Sequence, residues 1–509
     1  MRRRSGTIAA ILLPVWLAGC ATSALDMAPE RPDRPWEPAT TKSGEIIAGE
    51  PQLPPTAEGY VLPPNPALGQ VQSPPGVDAA KAYSLPELID FAESSNPTTR
   101  IAWNDARRAA LAAGIAESAF LPNITASAIG GYQASSGRQT ALGTSYNNNP
   151  SLNGTVSAVS LQWLLFDFGQ RAAVEDAAKQ GSVISNIAFT AAHQQLIYSV
   201  SLAFYNHAAA QARLTTATQS LKNAQDVQAA AENRYKHGIG TVTEVAQARQ
   251  GTAQANLAVV QATGGAEDAY LGLITAMGIS PLTKIRVAGV SGRKLSPSMT
   301  APVESIIADA LARRPDVQSA YAAEKASQAN VRAAQAEFMP KIFISATGTY
   351  TSGSLAVTSL PSAGQQPPTV DITGNHFGGS IFAGVTIPLY SGGIRDAQLA
   401  RARAEADSAD ARLTQTREDA VRQIVSADNA LHTSLSAYAA SQTLETAAQT
   451  TFDSALTAYR NGVGSITDLT LAETQLLQAK NAATDAYSTA LSAAATLALS
   501  AGTLGAPLQ

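Results

Sequence analysis

Apolar side chains alternate with small or polar ones in four segments of the chain. The clearest segment has Val159, Leu161, Trp163 and Leu165 alternating with Ser160 and Gln162. A second has Ile381, Ala383, Val385, Ile387 and Leu389 alternating with Ser380, Gly384 and Thr386, and weaker alternation begins at Ile124 and Ile342. A period of two is the pattern of a β-strand with two different faces, and it is typical of transmembrane strands. It predicts strands at about 121–133, 155–167, 340–351 and 378–390.

A different period follows the second pair of predicted strands. Several apolar residues are separated from one another by seven residues or a multiple of seven: Ile424, Leu431, Tyr438, Phe452 and Tyr459. Val421, Leu435 and Leu456 lie three or four residues from members of this set. This spacing indicates a coiled-coil seam. No proline interrupts residues 151–280 or 389–506, and both stretches are rich in alanine, which favours long helices. We predict helices at about 169–235, 241–277, 393–459 and 465–500, the longest on the order of 100 Å in length.

The chain contains an internal repeat. Phe120–Ile124 matches Phe338–Ile342, and Tyr235–Glu244 matches Tyr459–Asp468. The offset grows from 218 to 224 residues between the two matches, so the second copy has six extra residues, which lie between Tyr350 and Leu389. The added length falls in a polar segment that corresponds to residues 135–154 of the first copy. Because length varies at this place, we predict an exposed loop here in both copies. Residues 83–290 form the first copy, 291–503 the second, and 504–509 a C-terminal tail.

The turn between the two long helices of each copy has its own signature. Gly238 and Gly240, like Gly462 and Gly464, allow the chain to reverse between antiparallel helices. Thr241 or Ser465 is suited to cap the next helix, and Glu244 or Asp468 is favourable in its first turn. Plain helical hairpins account for all of these residues without any function.

The N-terminal region predicts export and a lipid anchor. Arg2, Arg3 and Arg4 precede an apolar run from Ile8 to Ala18, which is typical of a signal peptide over residues 1–19. The run ends Leu17-Ala18-Gly19-Cys20, which resembles the lipobox of bacterial lipoproteins. An ordinary signal-peptidase site beside a chance cysteine is the alternative. With no aspartate after Cys20, we expect the outer membrane of a Gram-negative cell. Residues 20–82 hold most of thirteen prolines that lie between Pro29 and Pro86, which predicts an extended tether.

The mature chain has no run of 18 apolar residues, so no helix is expected to span a membrane. A chain that nevertheless crosses the bilayer must do so as a closed barrel. Four strands per chain are too few for one, so the barrel must be shared. Two chains would supply about eight strands with a packed interior, and three would supply about twelve with a lumen. Taken alone, the long helices are equally compatible with a solid stalk.

Composition and motif searches exclude several other functions. The net charge of −4, from 35 basic and 39 acidic residues, gives no basic patch for nucleic acid. Walker, dinucleotide, serine-hydrolase and zinc-protease motifs do not occur, so we expect no enzyme, metal or cofactor. The single cysteine excludes an internal disulfide. The five histidines are scattered, and we expect His193 and His207 on helix surfaces.

The repeat, the Leu-Pro or Met-Pro entry to the first strand of each copy, and the Tyr-x-x-Gly-x-Gly-x-x-Thr-[Asp/Glu] turns resemble the TolC family of outer-membrane efflux proteins. The likeness extends from about Tyr83 to Gly502. It implies an α+β membrane protein: a homotrimeric twelve-stranded barrel, four strands per chain, continuous with a periplasmic α-helical coiled-coil barrel. The lipobox resembles the efflux branch of the family, whereas Tyr83–Leu88 and Asn96-Pro97 are nearer to the type I secretion branch. The sequence therefore does not decide which substrate the protein would transport.

The resemblance also implies partners and site residues. The partners are outer-membrane lipid, a periplasmic adaptor and an inner-membrane transporter of the RND or ABC type. The adaptor-docking tips would be Gly238, Ile239, Gly240, Thr241, Gly462, Val463, Gly464 and Ser465. Glu244, Tyr459 and Asp468 would form a periplasmic gate, with Glu244 accepting a hydrogen bond from Tyr459 and Asp468 ringing the constriction. The family's second constriction carboxylate falls at Leu471, with Glu473 nearby. The alternative function is a structural envelope stalk that transports nothing.

Overall fold

The structure is a computed structural model that describes residues 23–53, 60–69, 78, 80–134, 137–141, 144–148, 151–290, 295, 303–357 and 370–505. The chain divides into two compact units, Met1–Val77 and Asp78–Gln509. The predicted signal peptide and the lipid attachment point at Cys20 lie outside the described residues.

The first unit contains local structure where the sequence predicts an extended tether. A short 3-10 helix spans Ser23–Met27. An isolated antiparallel bridge joins Thr40 to Ile46, and the amide of Thr41 donates to the carbonyl of Glu45 at 2.8 Å. Gly44 closes this turn with a φ of 82°. The hairpin is possible because residues 39–50 lack proline, although the segment as a whole is rich in it.

The second unit consists mainly of helices that occur twice. The helices of the first copy are α1 (Leu85–Ser95), α2 (Pro97–Ser118), α3 (Gln170–Lys236) and α4 (Val242–Ala276). Those of the second are α5 (Val303–Arg313), α6 (Pro315–Ala336), α7 (Ile394–Arg460) and α8 (Ile466–Ser500). Corresponding helices have identical lengths of 11, 22, 67 and 35 residues. The predicted repeat and the predicted long helices are confirmed.

The strands form one main sheet that joins the two copies. They are β1 (Ala82–Tyr83), β2 (Asn123–Ala134), β3 (Gly137–Ala141), β4 (Thr144–Asn148), β5 (Ser151–Phe166), β6 (Arg286–Val287), β7 (Lys341–Val357), β8 (Val370–Thr373) and β9 (His376–Thr386). The main sheet is antiparallel in the order β2, β5, β7, β9, and β8 pairs with the far end of β7. Its four long strands correspond to the four predicted from alternation. β1 and β6 form a separate parallel pair.

The segment predicted as an exposed loop in the first copy contains regular structure. β3 and β4 form an antiparallel hairpin with Gly137 opposite Asn148. The pairing of β2 with β5 also continues to Ala134 opposite Ser151, so β5 begins four residues before the predicted start at 155. Gly, Ser and Asn side chains gave no alternation there, so the sequence did not reveal a ladder that depends on backbone hydrogen bonds.

A buried ion pair closes the junction between β5 and α3. The Nε of Arg171 lies 2.8 Å from Oδ2 of Asp167, and both side chains are almost fully buried. The guanidinium also donates to the carbonyls of Ala119 at 2.9 Å and Leu164 at 2.6 Å. The pair thus ties the end of the strand, the start of α3 and the turn after α2 together. In the second copy the position of Asp167 is Ser391, so this pair cannot form.

The core is a set of seams between helices. Along α7 the buried side chains recur at coiled-coil spacing, which confirms the predicted coiled coil. They include Ile424, Phe452 and Tyr459 on one row, and the small residues Ala420, Ala427, Ser434, Ser441 and Ala448 on the other. Small side chains allow neighbouring helices to approach closely. Among the described residues, no helix is long and apolar enough to cross a bilayer.

Candidate functional site

The two helical hairpins end in nearly identical turns. Gly238 and Gly462 have φ values of 75° and 81°, which lie in the left-handed region that favours glycine. Gly240 and Gly464 are held close to the preceding helix, where an added Cβ would lie 2.9 Å from the amide nitrogen of Tyr235 or 3.0 Å from that of Tyr459. The glycine spacing in each turn therefore has a steric cause in both copies.

The side chain that follows each turn caps the next helix. Thr241 Oγ1 accepts from the amide of Glu244 at 3.2 Å, and Ser465 Oγ accepts from the amide of Asp468 at 3.1 Å. The carboxylates complete these caps. Glu244 Oε2 accepts from the amide of Thr241 at 3.2 Å, and Asp468 Oδ2 accepts from the hydroxyl of Ser465 at 2.7 Å. Such caps satisfy amides at the helix N-terminus that have no partner within the helix.

Most of the predicted docking residues lie at the exposed ends of the hairpins. Ile239 is 66% exposed and Val463 is 84% exposed, although both are large and apolar. Gly238, Thr241, Gly462 and Ser465 are exposed as well, while Gly240 and Gly464 are partly covered. Each hairpin therefore presents exposed apolar surface at its end: Ile239 with the 64% exposed Val242 in the first copy, and Val463 in the second.

Tyr459 differs from the other predicted gate residues because it is fully buried. It belongs to an apolar cluster at the tip, which we call the tip cluster, that joins Val227, Ala231, Val245 and Ala248 of the first copy to Phe452, Tyr459, Ile466 and Leu469 of the second. Among the described residues, its hydroxyl has no hydrogen-bond partner. The hydrogen bond expected from Tyr459 to Glu244 is thus not formed in this structure. Burial raises the pKa of Tyr459, and the negative charge of Glu244 raises it further.

Arg234 was not singled out by sequence reasoning, yet it contacts both tips. Its Nη1 donates to the carbonyl of Tyr459 at 2.9 Å, and its Nη2 donates to the carbonyl of Ile239 at 3.3 Å. The guanidinium carbon also lies 4.9 Å from the centre of the Tyr459 ring. The sequence does contain a sign of this contact. The residue at the matching position of the second copy is Ala458, and a charge present in only one copy of a repeat points to a contact specific to that copy.

Glu473 is placed away from the exposed carboxylates of the tips. Its Oε1 is buried and has no partner among the described residues. The carboxyl group faces Ser220 on α3, whose hydroxyl lowers the pKa of Glu473 but does not offset the effect of burial. Burial raises the pKa of Glu473 to about 7. Glu473 therefore lies between α3 and α8 and does not extend the set formed by Glu244 and Asp468.

The histidines give one correction. The expectation that His207 lies on a helix surface is wrong, because it is buried and its ring centre lies 5.8 Å from that of Tyr270 on α4. Burial lowers its pKa. His193 is half-buried, with Nδ1 3.3 Å from Oε1 of Glu93. The period of an alanine-rich helix does not show which face meets its neighbours.

Within the described ranges, no three His, Cys, Asp or Glu side chains are grouped so as to hold a metal ion.

Comparison with known proteins identifies the family. The family described as "Outer membrane efflux protein" matches residues 88–279 and 306–503, one segment in each copy. The chain is 28% identical over 459 residues to protein CyaE of Bordetella pertussis, covering 89% of this chain and 90% of that protein. It is 25% identical over 407 residues to outer membrane protein TolC of Escherichia coli K12, covering 79% and 78%.

Solved structures agree on the fold. The outer membrane protein VceC of Vibrio cholerae superposes with a TM-score of 0.68 at 21% identity, covering 82% of this chain and 96% of that one. Channels of the TolC family are not enzymes. With a matched segment in each copy and the family's fold along most of the chain, this protein belongs to the outer membrane efflux protein family and is an outer-membrane channel of tripartite efflux or secretion systems, with a periplasmic helical extension.

Proposed function

We propose that three copies of this chain form a duct that passively conducts substrates across the outer membrane from an inner-membrane pump and its periplasmic adaptor. The observation that carries this proposal is a sheet whose four long strands, β2, β5, β7 and β9, lie side by side and join helices of 67 residues. β2 and β9 lie at its two edges, and each has one partner strand among the described residues. Open edges are not tolerated in lipid, so sheets of neighbouring chains joined edge to edge into about twelve strands would remove them.

The helices would carry the duct into the periplasm. At 1.5 Å per residue, α3 and α7 are each on the order of 100 Å long, far more than a bilayer requires. The adaptor would dock on the exposed tips, where Ile239 and Val463 offer apolar anchors. The pump, of the RND or ABC type, would supply the energy. A wall of Ala, Ser, Thr and Gln has no selective pocket, so the choice of substrate would fall to the pump.

The tips would also close the duct. Three copies would bring six hairpins together, with Glu244 and Asp468 forming a ring of carboxylates where the tunnel narrows. A ring of that kind favours cations and repels anions. Tyr459 lies within reach of the Glu244 charge, and its hydroxyl has no other partner among the described residues. A closed gate in which Glu244 leaves its cap and accepts from Tyr459 would use that free hydroxyl.

Single-channel recording in planar bilayers tests both the duct and its gate. We expect the purified wild-type protein to conduct, and we expect Glu244→Ala combined with Asp468→Ala to raise conductance and weaken block by divalent cations. The physical reason is that the double variant removes the negative charges of the constriction and the contacts that the two carboxylates make to Thr241 and Ser465. A wild-type protein that forms no channels would favour the structural stalk. Unchanged conductance in the double variant would reject these residues as the gate.

We also propose that Cys20 carries lipid, with the barrel holding the protein in the membrane independently. Labelling with radioactive palmitate is expected to mark the wild type and not Cys20→Ala. Fractionation is expected to find Cys20→Ala still in the outer membrane, because the strands remain. A soluble, monomeric Cys20→Ala protein would show instead that lipid is the sole anchor and that the chain is a periplasmic scaffold.

A further inference from the structure

We propose that Arg234 is a positioning residue that ties the two hairpin tips of one subunit together, so that they resist separation when the gate opens. This inference rests on the proposed function, because it assigns a regulatory contact within the same gate. Neither the repeat nor the tip motif contains it. It follows from the contacts of one side chain that reaches from the first copy to the second.

The geometry makes Arg234 a connector with several simultaneous contacts. It lies in the last turn of α3, and its Nη1 donates to the carbonyl of Tyr459 in the last turn of α7. Its Nη2 donates to the carbonyl of Ile239 in its own turn, while its guanidinium lies over the Tyr459 ring. One planar cation thus fixes a backbone carbonyl in each tip and covers a buried aromatic ring. A lysine cannot reproduce this combination, because it lacks the planar fork.

The electrostatics favour the same placement. Carbonyl groups at the C-terminus of a helix carry partial negative charge, and a cation there is stabilising. Arg234 lies where α3 and α7 both end, so its charge serves both termini. Gly462 leaves room for the guanidinium, because a Cβ at this position would lie 3.2 Å from Nη1 of Arg234.

The tie is incomplete, which suits a contact that must break. Nε of Arg234 and the hydroxyl of Tyr459 are both buried and have no hydrogen-bond partner among the described residues. A conformation that leaves buried donors without partners is less stable than one in which they form hydrogen bonds. The apolar side chains of the tip cluster hold the two copies together as well. Arg234 therefore adds a directional contact to a packed interface, and that interface should survive its loss.

The second copy cannot supply the reciprocal tie, since Ala458 occupies the matching position. Each subunit then has one such contact, and a trimer has three. The first copy supplies the arginine, and the second copy supplies only the carbonyl that accepts from it. Substitution of Arg234 alone should therefore remove this directional contact from both tips of a subunit, while the tip cluster stays packed.

The test compares Arg234→Gln and Arg234→Lys with Arg249→Gln in planar bilayers. Arg249 is the matched control, because it pairs with Glu232 at 3.1 Å within the first copy, is 64% exposed and, among the described residues, forms no ion pair with the second copy. Losing a charge-assisted hydrogen bond should raise the ratio of open to closed channels about tenfold in Arg234→Gln. Arg234→Lys should give a smaller rise, and Arg249→Gln should match the wild type. All three should remain trimeric in detergent.

The outcomes separate this inference from the proposed function. Wild-type gating in Arg234→Gln, together with a raised conductance in the Glu244 and Asp468 double variant, would overturn the tie and leave the gate standing. No conductance in any variant, the wild type included, would overturn the duct and the tie together. If Arg234→Gln fails to assemble, Arg234→Lys provides the second variant, because it keeps the charge and lacks the planar fork. Wild-type gating in that variant would also count against the tie.

Discussion

Replacing Asp167 with alanine is expected to destabilise the folded protein by about 3–5 kcal/mol, because it leaves the buried Arg171 guanidinium without a counter-charge. Asp167 also accepts from the amide of Arg171 at 2.9 Å, so the first turn of α3 loses a cap as well. The junction where the sheet continues into the longest helix of the first copy would loosen. Thermal unfolding of the detergent-solubilised protein, followed by circular dichroism at a helical wavelength, measures the change.

The control for this variant is a solvent-exposed ion pair between the same kinds of group, an arginine and a carboxylate. Arg401 and Glu405 lie 2.8 Å apart on α7, with side chains 80% and 53% exposed. Glu405→Ala is expected to cost at most about 1 kcal/mol, because water screens the pair and its loss leaves no buried charge. Equal shifts in melting temperature for Asp167→Ala and Glu405→Ala would show that the junction does not depend on the buried pair.

Changing Glu473 to glutamine is expected to remove a pH dependence of stability. Burial between α3 and α8 raises the pKa of this carboxyl group from 4.5 to about 7 in the folded protein. Below about pH 4.5 the group is protonated in the folded and unfolded states alike, so it does not alter their balance. As the pH rises from 4.5 towards 7, the unfolded chain releases the proton while the folded protein retains it, and the folded state loses stability. Above pH 7 the loss is complete.

The measurement is the melting temperature of wild type and Glu473→Gln between pH 4.5 and 8. The wild type should lose stability over this range relative to the variant, and the variant should be the more stable protein at pH 8. Asp485→Asn is the matched control on the same helix, because Asp485 forms an exposed ion pair with Arg213. It should keep the wild-type slope. A Glu473→Gln protein with that same slope would mean that Glu473 is ionised in the fold throughout.

The features predicted from the sequence are those that repeat. Proline-free stretches and a period of seven predicted α3 and α7, and a period of two predicted the four long strands. These signals come from backbone geometry and burial acting at every second or every seventh residue. The row formed by Ala420, Ala427, Ser434, Ser441 and Ala448 was missed, because small side chains resemble a solvent-exposed face until a neighbouring helix is placed against them.

The features that sequence reasoning missed are single contacts between distant segments. Arg234 meets Tyr459 across 225 positions of the chain, and nothing in the residues around either one indicates the other. Arg171 reaches the carbonyl of Ala119 in the same way. The burial of His207 depends on α4 packing against α3. Such contacts follow from the packing of the whole fold, whereas the turn residues of the tips could be predicted because each turn determines its own backbone locally.

The equal lengths of the helices in the two copies restrict how this chain can change over evolution. One residue inserted into α3 would advance its tip by about 1.5 Å and rotate every later side chain by about 100°. The tip of the first copy would then lie out of level with that of the second, and Arg234 would face another direction. Insertions in the long helices are therefore tolerated only if both copies change together. The strand loops at the other end bear no such restriction, and the six extra residues of the second copy lie there.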